Sequence, residues 1–174
     1  MTVELTFRDA VHRLDRRALS QFTCTQDPER CWSADAGWHY EHPREWEYDV
    51  RREIRGISIP SAQSPFALRV GYVGEELATV VYWEEVDGPA SVMCHLAAVA
   101  LDFQGRGFGA LLLVDALDTI TSVAVQAGLH KVHISGVIFR ENERSQRMCH
   151  AIGADRTGED FPAGGEEWGY SLPV

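Results

Sequence analysis

Two hydrophobic patterns follow one another at the start of the chain. Apolar and polar residues alternate over residues 3–7, which predicts a short strand. Over residues 10–22 the apolar side chains recur at the spacing of an amphipathic helix. The inner face of this predicted helix carries Leu14, Ala18, Leu19 and Phe22.

A second amphipathic helix is predicted over residues 43–57. Its apolar face carries Trp46, Val50 and Ile54. Its opposite face carries Arg51, Arg52 and Arg55. We expect this arginine-rich face to be solvated.

The segment between the two helices, residues 25–43, is interrupted by proline and glycine and is predicted to be a loop. It contains three large aromatic residues, Trp32, Trp38 and Tyr40. They either pack onto the core or line a substrate cleft, and packing is the simpler interpretation.

Three β-rich runs fill the middle of the chain, at residues 66–73, 76–86 and 90–100. The turns between them are short, and short turns join antiparallel neighbours. The last third predicts a helix that ends at Gly128, a buried strand over residues 131–139, and a helix capped by Asn142. That last helix ends at Gly153, and residues 168–174 form a final predicted strand.

The apolar positions of these two later helices define their inner faces. In the first they are Leu113, Leu117, Ile120, Ala124 and Ala127, and in the second Met148 and Ile152. The whole order is strand, helix, helix, three strands, helix, strand, helix and strand. It predicts a mixed α/β (α+β) fold in one layered domain over residues 1–174.

The most informative chemical motif is a glycine-rich turn between a predicted strand and the helix that follows it. It reads Gln104, Gly105, Arg106, Gly107, Phe108, Gly109. Glycine lets backbone approach a ligand closely, and the N-terminus of a helix offers unpaired N–H donors to an anion. The spacing differs from the loops of P-loop nucleotidases and of dinucleotide-binding folds. The motif therefore predicts a phosphate site of another kind, although a plain helix start has the same composition.

With this Gln-x-x-Gly-x-Gly motif and this order of elements, the chain resembles the GCN5-related N-acetyltransferase (GNAT) superfamily. The resemblance implies a mostly antiparallel mixed sheet of six to seven strands with about four helices. It also implies acetyl-CoA as the acyl donor, with its pantetheine arm between two splayed strands. Here those strands are residues 93–100 and 131–139.

The resemblance also assigns residues to the donor. Backbone groups of Ala97, Ala98 and Val99 are expected to contact pantetheine and the thioester. The residues expected to hold the pyrophosphate are Gln104, Gly105, Arg106, Gly107, Phe108 and Gly109. Asn142 is expected to bind the pantetheine arm while it caps its helix. The family usually has Tyr seven residues after this Asn, where this chain has Cys149.

Catalytic candidates follow from the chemistry of acyl transfer, which needs a base for the amine and a proton for the leaving thiolate. His95 precedes Ala97 and Val99 by two and four residues, so strand alternation predicts one shared face for the three. Either Glu84 or Glu85 is a second candidate for the base. Cys149 either donates the proton or packs as a small buried residue, and a covalent acetyl-cysteine is a minor alternative.

Composition and charge narrow the choice of partners. The net charge of −10 argues against a protein that binds nucleic acid, whose phosphates need a basic surface. Residues 104–147 carry five basic and four acidic side chains, so the least acidic region is the one expected to meet the polyanionic donor. The acidic remainder favours a cationic amine, or serves solubility alone. Arg occurs fifteen times and Lys once, as in GC-rich bacterial genomes.

We also expect a cytoplasmic protein without a membrane segment, because the N-terminus has no leader-like pattern. The four cysteines have no disulfide-scaffold spacing. Cys24, Cys31, His39 and His42 do not match the spacing of a zinc site, so no metal is predicted.

The sequence thus predicts an acetyl-CoA-dependent N-acetyltransferase that acts on a primary amine of a small, cationic molecule by direct attack in a ternary complex. Protein N-termini or lysines are alternative acceptors. A non-catalytic acyl-CoA-binding module is an alternative of another class. A homodimer is common in the superfamily, and no surface patch in the sequence indicates it.

Overall fold

The computed structural model describes residues 4–161 and 164–174. The strands are β1 (Leu5–Asp9), β2 (Glu29–Ser33), β3 (Gly37–Glu41), β4 (Phe66–Val73), β5 (Glu76–Glu85), β6 (Ser91–Val99), β7 (Lys131–Phe139), β8 (Asp155–Asp160) and β9 (Gly165–Pro173). The helices are α1 (His12–Gln21), α2 (Glu45–Gly56), α3 (Phe108–Gln126) and α4 (Glu143–Ala151). A short 3-10 helix, Leu101–Phe103, precedes the glycine-rich turn.

Seven strands form one sheet in the order β1-β4-β5-β6-β7-β9-β8. All neighbours in this sheet are antiparallel except β6 and β7, which run parallel. Helix α3 is the crossover between these two parallel strands. The prediction of a mixed sheet of six to seven strands with four helices is confirmed.

Both faces of the sheet are covered. On one face, α1 and α2 pack through Leu19, Phe22 and Ile54 against Leu68, Val70 and Val80. On the other, α3 packs through Leu112, Ala116, Ile120 and Ala124 against Val81, Trp83 and Val132. A sheet buried on both faces explains why β5 and β7 read as nearly continuous apolar runs.

Most of the predicted elements are confirmed within a few residues. Val3, in the first predicted strand, lies outside the described residues, and β1 is described from Leu5. Leu14 is 67% exposed, so its assignment to the inner face of α1 is wrong. Strand β8 was missed, because its sequence is polar and shows no apolar alternation.

The expectation of a solvated arginine face on α2 is wrong for two of its three arginines. Arg51 is buried, and its guanidinium donates to the Thr25 carbonyl at 3.0 Å and pairs with Asp27 at 2.7 Å. Arg55 donates to the Phe22 carbonyl at 2.8 Å. The guanidinium groups satisfy carbonyls of the chain that leaves α1, a role that the periodicity of α2 does not reveal.

The predicted loop at residues 25–43 contains a two-stranded hairpin, β2 and β3. Gly37 has φ +65° and lets the chain turn. Trp32, Trp38 and Tyr40 are 62%, 64% and 70% exposed, so the prediction that they pack onto the core is wrong. The hairpin is a separate two-stranded sheet and does not extend the main one.

Helix α3 is the one helix among the described residues that is long and apolar enough to span a membrane, by length and composition. One stripe of the helix packs against the sheet. Asp115, in its second turn, accepts two hydrogen bonds from Arg69 of β4, at 2.6 and 2.9 Å. The ion pair and the buried stripe hold α3 against the sheet.

Candidate functional site

The two parallel strands separate in the middle of the sheet. Residues of β6 and β7 pair from Ser91 with His133 to Cys94 with Gly136, and no pairing follows. Beyond Cys94, the edge of β6 that faces β7 has no strand partner, so its alternate backbone groups are open to a ligand. The splay expected from the resemblance is confirmed, and we call the Cys94–Gly136 pair the apex of the splay.

A β-bulge lies at this apex. On the side of β5, Trp83 pairs with Cys94 and Tyr82 with Leu96, so His95 is left without a partner. Because of the extra residue, the side chains after the bulge point to the opposite faces from those that strict alternation predicts. Leu96 packs in the α1 and α2 core, whereas Ala97 packs in the α3 core. The ring of His95 lies near Tyr82 and Phe66, at centroid distances of 5.7 and 6.1 Å. The prediction that His95 shares a face with Ala97 and Val99 is therefore wrong, because strict alternation fails at a bulge.

A cleft of about 330 Å³ passes through the splay. One wall is helix α2, through Trp46, Asp49 and Glu53. The other walls are α3, α4 and β9, and they include Asn142, Cys149 and Trp168. His95 and Ala97 of β6 line the same cleft. The splay thus joins a space on the α2 side of the sheet to one on the α4 side.

The glycine-rich turn has the backbone shape of an anion site. Gly105 and Gly107 have φ of +75° and +81°, and Gly107 is the N-cap of α3. A Cβ on either glycine would meet no atom within 4 Å, so the left-handed φ, and not crowding, requires glycine. Within the described residues, the backbone N–H groups from 105 to 110 donate no hydrogen bond. These N–H groups, at the positive end of a helix of 19 residues, suit a diphosphate.

Gln104 and Arg106 have different places in this turn. The amide of Gln104 donates to the Cys24 carbonyl at 2.6 Å and to the Val99 carbonyl at 3.1 Å. Gln104 therefore anchors the turn to β6 and to the chain after α1. The Arg106 guanidinium lies over the ring of Phe103, 5.3 Å from its centroid, and its side of the turn is exposed.

At the third glycine of the turn, Gly109, close packing leaves little room for a side chain. A Cβ on Gly109 would lie 3.0 Å from the sulfur of Met148. Phe108 is buried and stacks on Phe103 at 6.0 Å, which fixes the first turn of α3.

Asn142 caps α4, as predicted. Its side-chain oxygen accepts a hydrogen bond from the Ser145 N–H at 3.2 Å. Because Asn142 also lines the cleft, the NH2 of its amide can donate to a ligand while the oxygen keeps the cap.

Of the three candidates for the base, the structure brings two together. The Nε2 atom of His95 lies 3.1 Å from a carboxylate oxygen of Glu84. Both side chains are about one-third exposed, at 35% and 31%. Glu85 lies on the other face of β5 and lines a separate pocket with Pro89 and Thr119. The structure therefore does not bring Glu85 to the cleft, because neighbouring residues of a strand face opposite ways.

Cys149 lines the cleft from α4. Burial raises the pKa of its thiol, so the thiol is protonated at neutral pH. Burial first, and then the charge of Cys149, raises the pKa of Cys94 to about 12. Two neutral thiols thus face the apex, an arrangement that disfavours a nucleophilic thiolate.

Sequence reasoning missed the acidic residues on the α2 wall. Asp49 and Glu53 line the cleft one turn apart, on the same helix face as Trp46. Burial first, and then the charges of Glu53 and Glu84, raise the pKa of the Tyr82 phenol. Their spacing on α2 was visible in the sequence, but nothing in it showed that this face meets the splay.

No family model matches the sequence, and no curated protein matches it either. Solved structures match over nearly the full length. The PaiA N-acetyltransferase of Thermoplasma acidophilum, in complex with coenzyme A, is 11% identical over 97% of this chain and 99% of that chain, with a TM-score of 0.68.

Two further matching structures are also acetyltransferases. Mutant forms of the spermidine/spermine N-acetyltransferase SpeG of Vibrio cholerae are 19% identical over 97% and 95% of the two chains, with a TM-score of 0.61. Nourseothricin acetyltransferase is 15% identical over 99% of both, with a TM-score of 0.60. The chain therefore has the fold of the GCN5-related N-acetyltransferases, as the glycine motif and the order of elements predict.

Proposed function

We propose that this protein is an acetyl-CoA-dependent N-acetyltransferase that acetylates a primary amine of a small cationic molecule by direct attack in a ternary complex. The observation that carries the proposal is the row of unpaired N–H groups from residue 105 to residue 110, beside a splayed strand pair that opens into a cleft. A diphosphate suits the row of N–H groups, and a narrow arm that carries amides suits the space between the splayed strands.

The residues of the chain fit the donor along its length. The N–H groups from Gly105 to Ala110 hold the pyrophosphate, and Gln104 keeps their turn in place. The open edge of β6, from Ala97 to Val99, offers backbone groups to the pantetheine amides, and the amide of Asn142 reaches the arm from the opposite wall. Acetyl-CoA supplies the thioester whose acyl group is transferred.

His95 is the base in this proposal. A hydrogen bond from its Nε2–H to Glu84 leaves the lone pair on Nδ1, which takes a proton from the incoming ammonium directly or through water. The amine nitrogen then attacks the carbonyl carbon. The C–N bond forms, the C–S bond breaks, and the thiolate takes a proton from the neutral thiol of Cys149 or from water. The nitrogen gives up its second proton, which passes through water to the Cys149 thiolate or hydroxide so formed.

The α2 side of the cleft favours a cationic acceptor. Asp49 and Glu53 line that side together with the ring of Trp46. His95, which also lines the cleft, contacts the carboxylate of Glu84 and lies near the rings of Phe66 and Tyr82. Carboxylates and aromatic faces together attract an ammonium group. The net charge of −10 adds long-range attraction for a cation.

An acceptor screen tests the proposal. The protein is incubated with acetyl-CoA and one amine at a time, and the released thiol is measured. The panel contains diamines, polyamines, neutral amines and peptides with free N-termini. We expect thiol release with cationic small amines, and weaker release with neutral amines of the same size. Calorimetry with CoA is the accompanying measurement, and an absence of CoA binding contradicts the proposal.

A further inference from the structure

Two tryptophans that line the cleft have buried indole N–H groups without an acceptor in the part of the chain that the structure describes. Among the described residues, three buried side-chain polar atoms lack a hydrogen-bond partner: Trp46 Nε1, Thr79 Oγ1 and Trp168 Nε1. Both tryptophans line the cleft. A buried N–H without an acceptor destabilises a protein unless a ligand completes it. A ligand in the cleft that carries acceptor atoms is one partner that could complete them.

Trp168 is the better defined of the two. Its side chain is only 5% exposed, and it lies on β9 directly opposite Gly136 of β7. Gly136 in turn is opposite Cys94, the last pair before β6 and β7 separate. Cys94, Gly136 and Trp168 thus form one row across three strands at the apex of the splay. The ring of His150, at 4.7 Å and nearly perpendicular, holds the indole from α4.

The two strands meet closely at the apex. A Cβ on Gly136 would lie 3.1 Å from the Cys94 carbonyl, so glycine lets the strands meet closely there. Cys149, which we propose as a proton donor to the leaving sulfur, and His95, which we propose as the base, both line the same cleft. The roles proposed for these two residues place the reacting carbonyl between them. All three residues of the row line this cleft, whereas its described lining includes no residue from 104 to 110.

We propose that the indole N–H of Trp168 donates a hydrogen bond to the thioester oxygen of the acyl donor. This inference rests on the proposed function. As the amine nitrogen bonds to the carbonyl carbon and the C–S bond breaks, negative charge develops on that oxygen. A fixed donor in a dry site stabilises this charge more than it stabilises the ground state. Trp168 of β9 is then a catalytic residue that acts through its side chain.

The variant Trp168→Phe tests the inference, because it keeps an aromatic ring and removes the N–H. We expect kcat/KM to fall about 100-fold, as for the loss of one donor to a developing oxyanion. Binding of acetonyl-CoA, an unreactive ketone that keeps the carbonyl, weakens, while binding of CoA, which has no acyl oxygen, is unchanged. Trp32→Phe, on the exposed hairpin, is the matched control and keeps full activity.

The outcomes separate the two proposals. If wild-type protein binds no CoA, the proposed function fails. If wild-type protein is active and Trp168→Phe keeps its activity, the role of Trp168 is overturned. An equal loss of affinity for CoA and acetonyl-CoA also overturns it, since the N–H then contacts a part that both ligands share.

A second measurement does not depend on the folding of the variant. In ¹⁵N-labelled wild-type protein, the five tryptophans give five indole N–H resonances, and Phe variants of the other four assign the signal of Trp168 by elimination. We expect acetonyl-CoA, and not CoA, to move this signal downfield. An unmoved signal at saturating acetonyl-CoA overturns the inference.

Discussion

At the scale of single residues, the site depends on side chains whose neighbours come from other elements. His95 owes its position to the bulge opposite Tyr82 and Trp83, and its orientation to Glu84. Each of these contacts can be removed separately, which makes the base the first residue to test.

The variant His95→Gln keeps a polar side chain of similar size and removes the base. We expect kcat/KM to fall about 100-fold or more, with the Kd of CoA unchanged, because base catalysis typically contributes at least this much. Steady-state kinetics and calorimetry measure the two quantities. Glu84→Gln is expected to give a smaller loss, since it affects only the tautomer and the position of the ring. Glu85→Gln, on the opposite face, is the matched control, and a loss there as large as for His95→Gln contradicts the assignment.

The thiol of Cys149 gives a second residue-scale prediction. Because burial raises its pKa, alkylation by iodoacetamide is expected to be slow at pH 7 and to accelerate as the pH rises through the raised pKa. Peptide mass spectrometry follows the site. Intact mass spectrometry after incubation with acetyl-CoA is expected to show no acetylated cysteine. An acetyl adduct that disappears in Cys149→Ser would instead support a covalent intermediate.

At the scale of elements, the turn before α3 is the part whose backbone geometry matters most. Its glycines have left-handed φ, and its N–H groups are unpaired. A substitution there changes the direction of the N–H groups as well as the stability of the turn. A substitution at a remote left-handed glycine changes stability alone.

We therefore compare Gly107→Ala with Gly74→Ala. Gly74 has φ +60° in the turn between β4 and β5, and a Cβ there meets no atom within 4 Å. Both variants are expected to lose about 1 kcal/mol of unfolding free energy, the cost of a left-handed alanine. Only Gly107→Ala is expected to weaken CoA binding, by about tenfold, the loss of one charge-assisted hydrogen bond. Denaturant unfolding and calorimetry test this, and equal CoA affinities in the two variants contradict a pyrophosphate site.

At the scale of the whole molecule, a buried carboxylate joins α1 to the sheet. Asp15 accepts two hydrogen bonds from Arg8 of β1, both at 2.7 Å, and one from Tyr72 of β4 at 2.7 Å. Burial by itself raises the pKa of Asp15, but the bonds from Arg8, the Val11 N–H and Tyr72 bring it below its ordinary value. Burial and Asp15 raise the pKa of Tyr72 to about 12, so the phenol stays a donor.

This network predicts the acid limb of the stability curve. Because the folded-state pKa of Asp15 is below its unfolded value of about 3.9, the ionised group stabilises the fold above that pH. The contribution is lost as the pH falls through the folded-state pKa. Asp15→Asn is expected to cost about 2 kcal/mol at pH 7 and to show a flatter acid limb. Thermal unfolding from pH 7 to pH 2 measures both effects, with exposed Asp118→Asn as control. Parallel acid limbs for wild type and Asp15→Asn contradict this role.

Much of the fold was accessible from the sequence because most elements have an apolar pattern of their own. Strands β4, β5, β6 and β7 and helices α2, α3 and α4 were predicted within a few residues. Hairpin β2–β3 and strand β8 were not, because their apolar residues are exposed or absent. A strand that buries neither face has no regular spacing of apolar residues by which the sequence could reveal it.

The candidate site also has parts that the sequence predicted and parts that it did not. The glycine turn and the Asn142 cap use local backbone geometry, which residues close in sequence specify, and both were predicted. The bulge at His95 was not predicted, because it depends on how β6 pairs with β5. The sequence also did not decide between Glu84 and Glu85, because it does not show which face of β5 lies beside His95.

By itself, then, the sequence determined the order of the elements, the fold class and the glycine-rich turn before α3, since each is encoded in short-range patterns of polarity and glycine. Only the tertiary structure decided which side chains surround the cleft. Asp49 and Glu53 of α2, His95 of β6, Cys149 of α4 and Trp168 of β9 meet at the splay. They are separated by up to 119 positions along the chain. No local pattern encodes contacts over such separations, because they arise from the pairing of strands and the packing of helices on the sheet.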